Sequence, residues 1–148
     1  MATTVDREIG GGPATRLVLA GAIAGLGSGL VFGILMGMMA MLPMVGMLIG
    51  VENAIVGFLV HMTLSAIIGA IYGLTGGRLA TSWGSAIVGG VIYGVFWWVL
   101  GGLVLMPLLL GMNEMILAIG QPQWTSLVGH LLYGIITALL FMPLLKRL

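Results

Sequence analysis

The 35 residues from Leu17 to Val51, LVLAGAIAGLGSGLVFGILMGMMAMLPMVGMLIGV, decide the fold. They contain no charged residue, and Gly21, Gly25, Gly29, Gly33 and Gly37 recur at every fourth position. That spacing holds all five on one narrow face of an α-helix. A helix that is apolar all round belongs in a bilayer, where a stripe without side chains lets a second backbone approach closely. As one helix the run would measure about 52 Å, against ~30 Å of hydrocarbon. Even a 40° tilt accommodates only about 26 residues in the bilayer core. The chain must therefore break, and Pro43 is the expected place, because it lacks an N–H and crowds the preceding turn.

Outward from this stretch, four runs are long enough to span: Leu17 to about Ala40, Ala54 to Leu74, Trp83 to about Pro107, and Trp124 to Leu145. Trp83 to Met112 is again too long, with Pro107 in the same relative place as Pro43. The runs are continuous, unlike the alternating segments of a barrel. The first lacks a clear cleavage site and is too long for a signal-peptide core, so it reads as a retained helix. The expected fold is an all-α membrane protein of four transmembrane helices arranged as two tandem helical hairpins, 17–77 and 83–148. A cytoplasmic segment, 1–16, precedes them. Helices one and three should kink near Pro43 and Pro107, and the segment after each proline should lie at the outer interface or re-enter.

Composition agrees. Charged residues are 6% of the chain and hydrophobic ones 60%, with a mean hydropathy of +1.23. A soluble domain carries about 25% charged residues, so the soluble enzyme classes are set aside. There is no cysteine, which removes disulfides and thiolate chemistry, and a net charge of +1 gives no case for nucleic acid binding. The few charges are informative by position. Arg7 and Arg16 precede the first span, Arg78 lies between the second and third, and Lys146 and Arg147 follow the fourth. Glu52 and Glu114 fall in the intervening loops. The positive-inside rule then places both termini in the cytoplasm and the protein in the inner (plasma) membrane.

A shift of 64 residues lays Ala22, Ile23, Gly25, Val31, Phe32, Gly37 and Pro43 on Ala86, Ile87, Gly89, Val95, Phe96, Gly101 and Pro107. Beyond the prolines the offset becomes 69, and His61 falls on His130. This pattern points to duplication of a two-span unit, with the five-residue difference in an outer loop. Small residues recur at every fourth place in the other spans: Gly57, His61, Ser65, Gly69 and Gly73 in the second, and Ser126, His130, Gly134 and Ala138 in the fourth. In the third, Gly90, Gly94 and Gly102 take this role with Trp98 among them. Both histidines thus lie on small-residue stripes and should face the bundle interior at similar depth.

An ionisable residue within a span is a functional candidate. Three readings stand for His61 and His130. They hydrogen-bond between helices, with Thr63, Ser65, Thr125 or a carbonyl as partner. They ligate one haem b iron, although no arginine is near to meet its propionates. Or they bind Cu(I) together with thioethers. Ten of the twelve methionines lie towards the outer side, and Met41, Met44 and Met47 are spaced three apart. Trp83 and Trp124 sit at span ends, while Trp97 and Trp98 lie deeper, available to lipid, a partner subunit or a pigment. The glycine spacings are not a phosphate loop, and no serine, histidine and acid set converges for hydrolysis.

The run His61-x3-Ser65-x6-Tyr72, the glycine-rich third span ending at Pro107, and Leu127-Val128-Gly129-His130-Leu131 resemble the YagU-like group of small bacterial inner-membrane proteins. The resemblance covers residues 57–135. It implies a polytopic inner-membrane protein with paired histidines, and no biochemical activity comes with it. The functional expectation is a non-enzymatic accessory or structural subunit of a larger, energy-converting membrane complex. Its helices would pack by glycine stripes against lipid, other integral subunits or further copies of itself. The alternative is a haem- or Cu(I)-binding or transport protein using His61, His130, Met41, Met44 and Met47. A channel would need more polar lining than Thr63, Ser65, Tyr72 and the histidines supply.

Overall fold

A computed structural model describes residues 13–148; residues 1–12, Arg7 among them, lie outside the described residues. Among the described residues the chain is helical, with no strand. The helices are α1 (Pro13–Met38), α2 (Leu42–Gly46), α3 (Ala54–Thr75), α4 (Trp83–Trp97), α5 (Met106–Leu109) and α6 (Gln121–Arg147). A wide-turned segment, Trp98–Leu105, joins α4 to α5, so that Trp83–Leu109 runs as one long helix. Four helices are long and apolar enough to cross a membrane, as a multi-pass membrane protein requires: Pro13–Met38, Ala54–Thr75, Trp83–Leu109 and Gln121–Arg147.

The two prolines near which the sequence predicts kinks sit in different settings. Helix α1 stops at Met38, five residues before Pro43. Ala40 adopts a left-handed backbone (φ 54°), its N–H donates to the Gly37 carbonyl (3.1 Å), and the Met41 N–H donates to Met36 (2.9 Å). This paired closure is a Schellman motif, which satisfies the last carbonyls of the helix and brings Met41 onto Met36. Pro43 instead opens α2, where a missing N–H is harmless. The segment ends at Gly50, whose φ of 77° would strain any other residue. Pro107, for its part, lies within the third long helix. The preceding turns widen, with the Met106 N–H reaching back to Gly101. Pro107 has no N–H for the Leu103 carbonyl, and that carbonyl accepts from Leu117 (2.9 Å), which ties the following loop to the helix.

Side-chain caps set the other starts. Asn53 Oδ1 accepts from the Ile55 and Val56 N–H groups (2.9 and 3.1 Å), and Ser82 and Ser85 form a reciprocal capping box. The long helices pack in the order α3, α1, α6, α4, and each contact is antiparallel. Backbones meet directly along α1 and α3. A Cβ on Gly21 or Gly69 would overlap the other's carbonyl oxygen, one on Gly25 would overlap the Ser65 carbonyl, and one on Gly73 would overlap that of Leu17. Gly57 meets the Leu42 carbonyl and so seats α2 across the start of α3. On the other side of the bundle, Gly90 and Gly134 make the same kind of approach, and Gly94 meets the His130 carbonyl. At mid-height Ser28 and Thr137, both fully buried, join α1 to α6 through a 2.6 Å hydroxyl pair.

Helices α3 and α4 complete the circle only loosely. Their main link is Tyr93, which donates to the Ile68 carbonyl (2.5 Å) and packs edge-on against Tyr72. Above and below that tyrosine the seam opens into two cavities.

Candidate functional site

The larger cavity, about 310 Å³, lies towards the end that carries the 39–53 and 110–120 connections, and all four long helices contribute to it. Helix α1 supplies Phe32 and Met36, one turn apart on the same face. Met41 and Met44 come from the turn after α1 and from α2, while α3 brings His61, Leu64, Ser65 and Ile68. The third long helix contributes Trp97, the wide turns at Gly101 and Gly102, and Met106; α6 contributes Gln123, Ser126, His130 and Tyr133. Among the described residues, no aspartate, glutamate, lysine or arginine is in the walls.

Both histidines reach this cavity, but they are held differently. His61 is buried, and its Nε2–H donates to the Gly29 carbonyl across the α1–α3 contact (2.9 Å), with the Ser65 hydroxyl 3.4 Å away. His130 is half-buried and turned back on its own helix, with Nδ1–H donating to the Ser126 carbonyl (2.8 Å). Among the described residues its Nε2 has no hydrogen-bond partner. The edge of Phe32 packs on both rings, with centroid distances of 5.3 Å to His61 and 4.9 Å to His130. Tyr133, one turn beyond His130, donates to the Ser65 carbonyl (2.6 Å) and so crosses from α6 to α3.

This arrangement does not fit the haem expectation. Iron held by both rings needs two free nitrogens facing across an open slot. Here the edge of Phe32 packs against both imidazoles, so that side chain takes the space beside the rings that a macrocycle would need. Of the copper set, Met41 and Met44 line the cavity with the histidines, whereas Met47 is exposed and absent from the walls. Met36 and Met106 stand in the walls instead. Among the described residues no three His, Cys, Asp or Glu side chains gather as a metal site.

The stripe residues are placed unevenly. Gly29 packs on the Ser65 side chain, and Gly33 on Phe58 and His61. Gly37 has only an ordinary 3.5 Å neighbour, Leu42. Gly89, the repeat partner of Gly25, has open space where a Cβ would go, and Gly90 and Gly94 carry the contact instead. One feature of the site had no signal in the sequence. Among the described residues the Nε1–H of Trp97 is buried without a hydrogen-bond partner, while the neighbouring Trp98 donates to the Gln123 carbonyl (3.0 Å) and stacks on Trp124. The i, i+4 spacing of Phe32 and Met36 and the i, i+3 spacing of His130 and Tyr133 are the patterns from which their shared wall could be read.

Fold and site together define a four-helix apolar bundle around a polar-studded cavity. Comparison with known protein families, curated proteins and solved structures found no match.

Proposed function

We propose that this chain is a non-enzymatic integral-membrane accessory subunit that holds a small lipid-soluble ligand in the cavity between its four long helices. The observation that carries this reading is the cavity itself. Its volume sits at the low end of small-molecule sites, its walls are mostly apolar, and a few polar groups converge on it. The associated topology has both termini cytoplasmic. Arg16, Arg78, Lys146 and Arg147 on one set of connections, and Glu52 and Glu114 on the other, support it. Two tandem hairpins derived from one duplicated unit belong to the same proposal, on the strength of the matched prolines and histidines. The outward apolar residues Val88, Ile92 and Phe96 of α4 offer a face for other subunits of an energy-converting complex.

The test uses Gly102→Leu. A Cβ at Gly102 has only ordinary neighbours at 3.5 Å or more, so the rest of the leucine would project into the cavity. Native mass spectrometry from mild detergent should find a small molecule retained by the wild-type protein and absent from the variant. Wild-type protein released with no bound mass, or a variant that retains it equally, overturns the reading.

A second reading, Cu(I) binding, is favoured by one observation. The His130 Nδ1–H is fixed by a backbone carbonyl while Nε2 is free, which is how metal-ligating histidines are usually oriented. The thioethers of Met36, Met41, Met44 and Met106 share that space and suit Cu(I). Anaerobic Cu(I) competition against a chromogenic chelator should then show one equivalent bound, lost in His130→Ala and kept in Met47→Leu. Failure of the wild-type protein to compete disposes of copper.

A further inference from the structure

The wide turns of the third long helix leave room over Gly102, and such turns frequently accompany functional sites. A Cβ on Gly102 would lie 3.5 Å from His130 Cε1 and 3.7 Å from Ser126 Oγ, in ordinary contact with both. The imidazole and the hydroxyl therefore border the same space, and all three residues line the larger cavity.

The hydrogen bonds at this spot fix what each group still offers. The Ser126 carbonyl can only accept, so His130 Nδ1 carries a proton and Nε2 of the neutral ring is a lone pair. Among the described residues that lone pair has no donor, and it is not among the fully enclosed atoms, so it meets open space. Ser126 Oγ stands 3.3 Å from the same protonated Nδ1 and can only accept there. Its own hydrogen finds no acceptor among the described residues. An unmatched acceptor and an unmatched donor thus sit side by side, which is the complement of a hydroxyl group. A ketone or an ether accepts without donating and would leave Nε2 unmatched. A carboxylate or an ammonium is disfavoured, because among the described residues no charged side chain in the walls could balance it.

We infer that the cavity binds a neutral lipid-soluble alcohol whose hydroxyl sits over Gly102, donating to His130 Nε2 and accepting from Ser126 Oγ–H. This rests on the ligand-binding reading above and names the class of molecule. The loose seam between α3 and α4 gives the cavity its mouth. Leu64 of α3 and Leu105 and Leu109 of the third long helix line the cavity and are also exposed, at 40%, 37% and 68%. All three lie in membrane-length helices, so under that reading the mouth faces hydrocarbon. The alcohol enters sideways from the bilayer and leaves its apolar tail there. Inside, the thioethers of Met36, Met41, Met44 and Met106 adapt to the part of the chain next to the hydroxyl.

The test is titration of the purified protein in nanodiscs with dodecanol and with its methyl ether, at matched mole fractions in the lipid. Native mass spectrometry counts the bound probe. The alcohol should bind about fivefold more tightly than the ether, the worth of one neutral hydrogen bond. His130→Phe, which keeps a ring and removes the lone pair, should weaken the alcohol by about the same factor and leave the ether unchanged. Ser126→Ala, which removes the donor, should weaken both probes alike. In wild-type protein carrying 15N-histidine, the His130 Nε2 resonance should move upfield with dodecanol and stay in place with the ether. That readout needs no variant to fold. Equal binding of the two probes, a His130→Phe effect on both, or an unmoved Nε2 resonance with dodecanol bound overturns the assignment. If the wild-type protein retains a native molecule that Gly102→Leu expels, yet dodecanol neither binds nor displaces it, this inference fails while the ligand-binding reading stands. If no molecule is retained and neither probe binds, both fail.

Discussion

Gly69→Val is expected to destabilise the bundle by more than about 3 kcal/mol, beyond the usual cost of overpacking a core. Ordinary overpacking is relieved when neighbouring side chains turn aside. At Gly69 the obstacle is backbone, since a Cβ would overlap the Gly21 carbonyl and also crowd the Cα of Gly25. Relief would require α1 and α3 to separate along their length. That would also stretch the 2.9 Å bond from His61 to Gly29 and lift Ser65 from Gly29. Because lipid supplies no hydrophobic drive to hold helices together, loss of close packing is not made good by burial elsewhere. Gly89→Ala is the matched control. Its Cβ enters open space, and alanine is the better helix former by about 1 kcal/mol, so that variant should be unchanged or slightly more stable. Unfolding in mild detergent, followed by loss of helical signal against denaturant, checks both. Equal stability of the two variants would mean that α1 and α3 are not in backbone contact.

The contrast between these two glycines shows how much of the molecule can be read from its sequence. Uninterrupted apolar runs place four long helices, because a helix in hydrocarbon needs only length and the absence of charge. The four-residue spacing in α1 likewise identifies the face that meets α3. Alignment of Gly25 with Gly89 fails as a guide to packing, since in the second unit the contact moves one residue along, to Gly90 and Gly94. A one-residue shift rotates a helix face by about 100° and leaves composition untouched, so a repeat pattern cannot register it. The prolines are ambiguous for a different reason. Proline is an obstacle within a helix and an asset at its first turn, and which applies depends on where the helix ends. At α1 that end is a Schellman motif built on Ala40, a residue with no turn signature. The candidate site was half legible. Residues spaced three or four apart announce a shared face, so the histidines could be placed inside. Which ring nitrogen is free depends on a carbonyl of a neighbouring turn or helix. The unmatched N–H of Trp97 depends on what its surroundings lack, and no local pattern encodes that.

The site's own architecture makes the last prediction. Phe32 is the piece that both histidines lean on, and Gly129 exists in its present form because of it. A Cβ on Gly129 would fall on the Phe32 ring edge. Phe32→Ala removes a 6%-exposed ring and leaves a void, at a cost near the lower end of the 3–5 kcal/mol seen for such truncations, since lipid is the reference solvent here. Gly129→Ala alone should cost about 1–3 kcal/mol, because the ring must leave its rotamer or push into the imidazoles. Combined, the two changes should cost less than their sum by at least about 1 kcal/mol, because the new methyl enters the space that the ring has vacated. Detergent unfolding of the four proteins in this cycle measures that coupling directly. Strict additivity would mean that Phe32 does not rest on Gly129. It would also remove the support for a rigid wall behind His61 and His130, because a ring free to swing from α6 could not hold both imidazoles edge-on. The double variant has a further use. It restores the α1–α6 contact without restoring the aromatic ring, and so separates the stability of the bundle from the shape of its cavity.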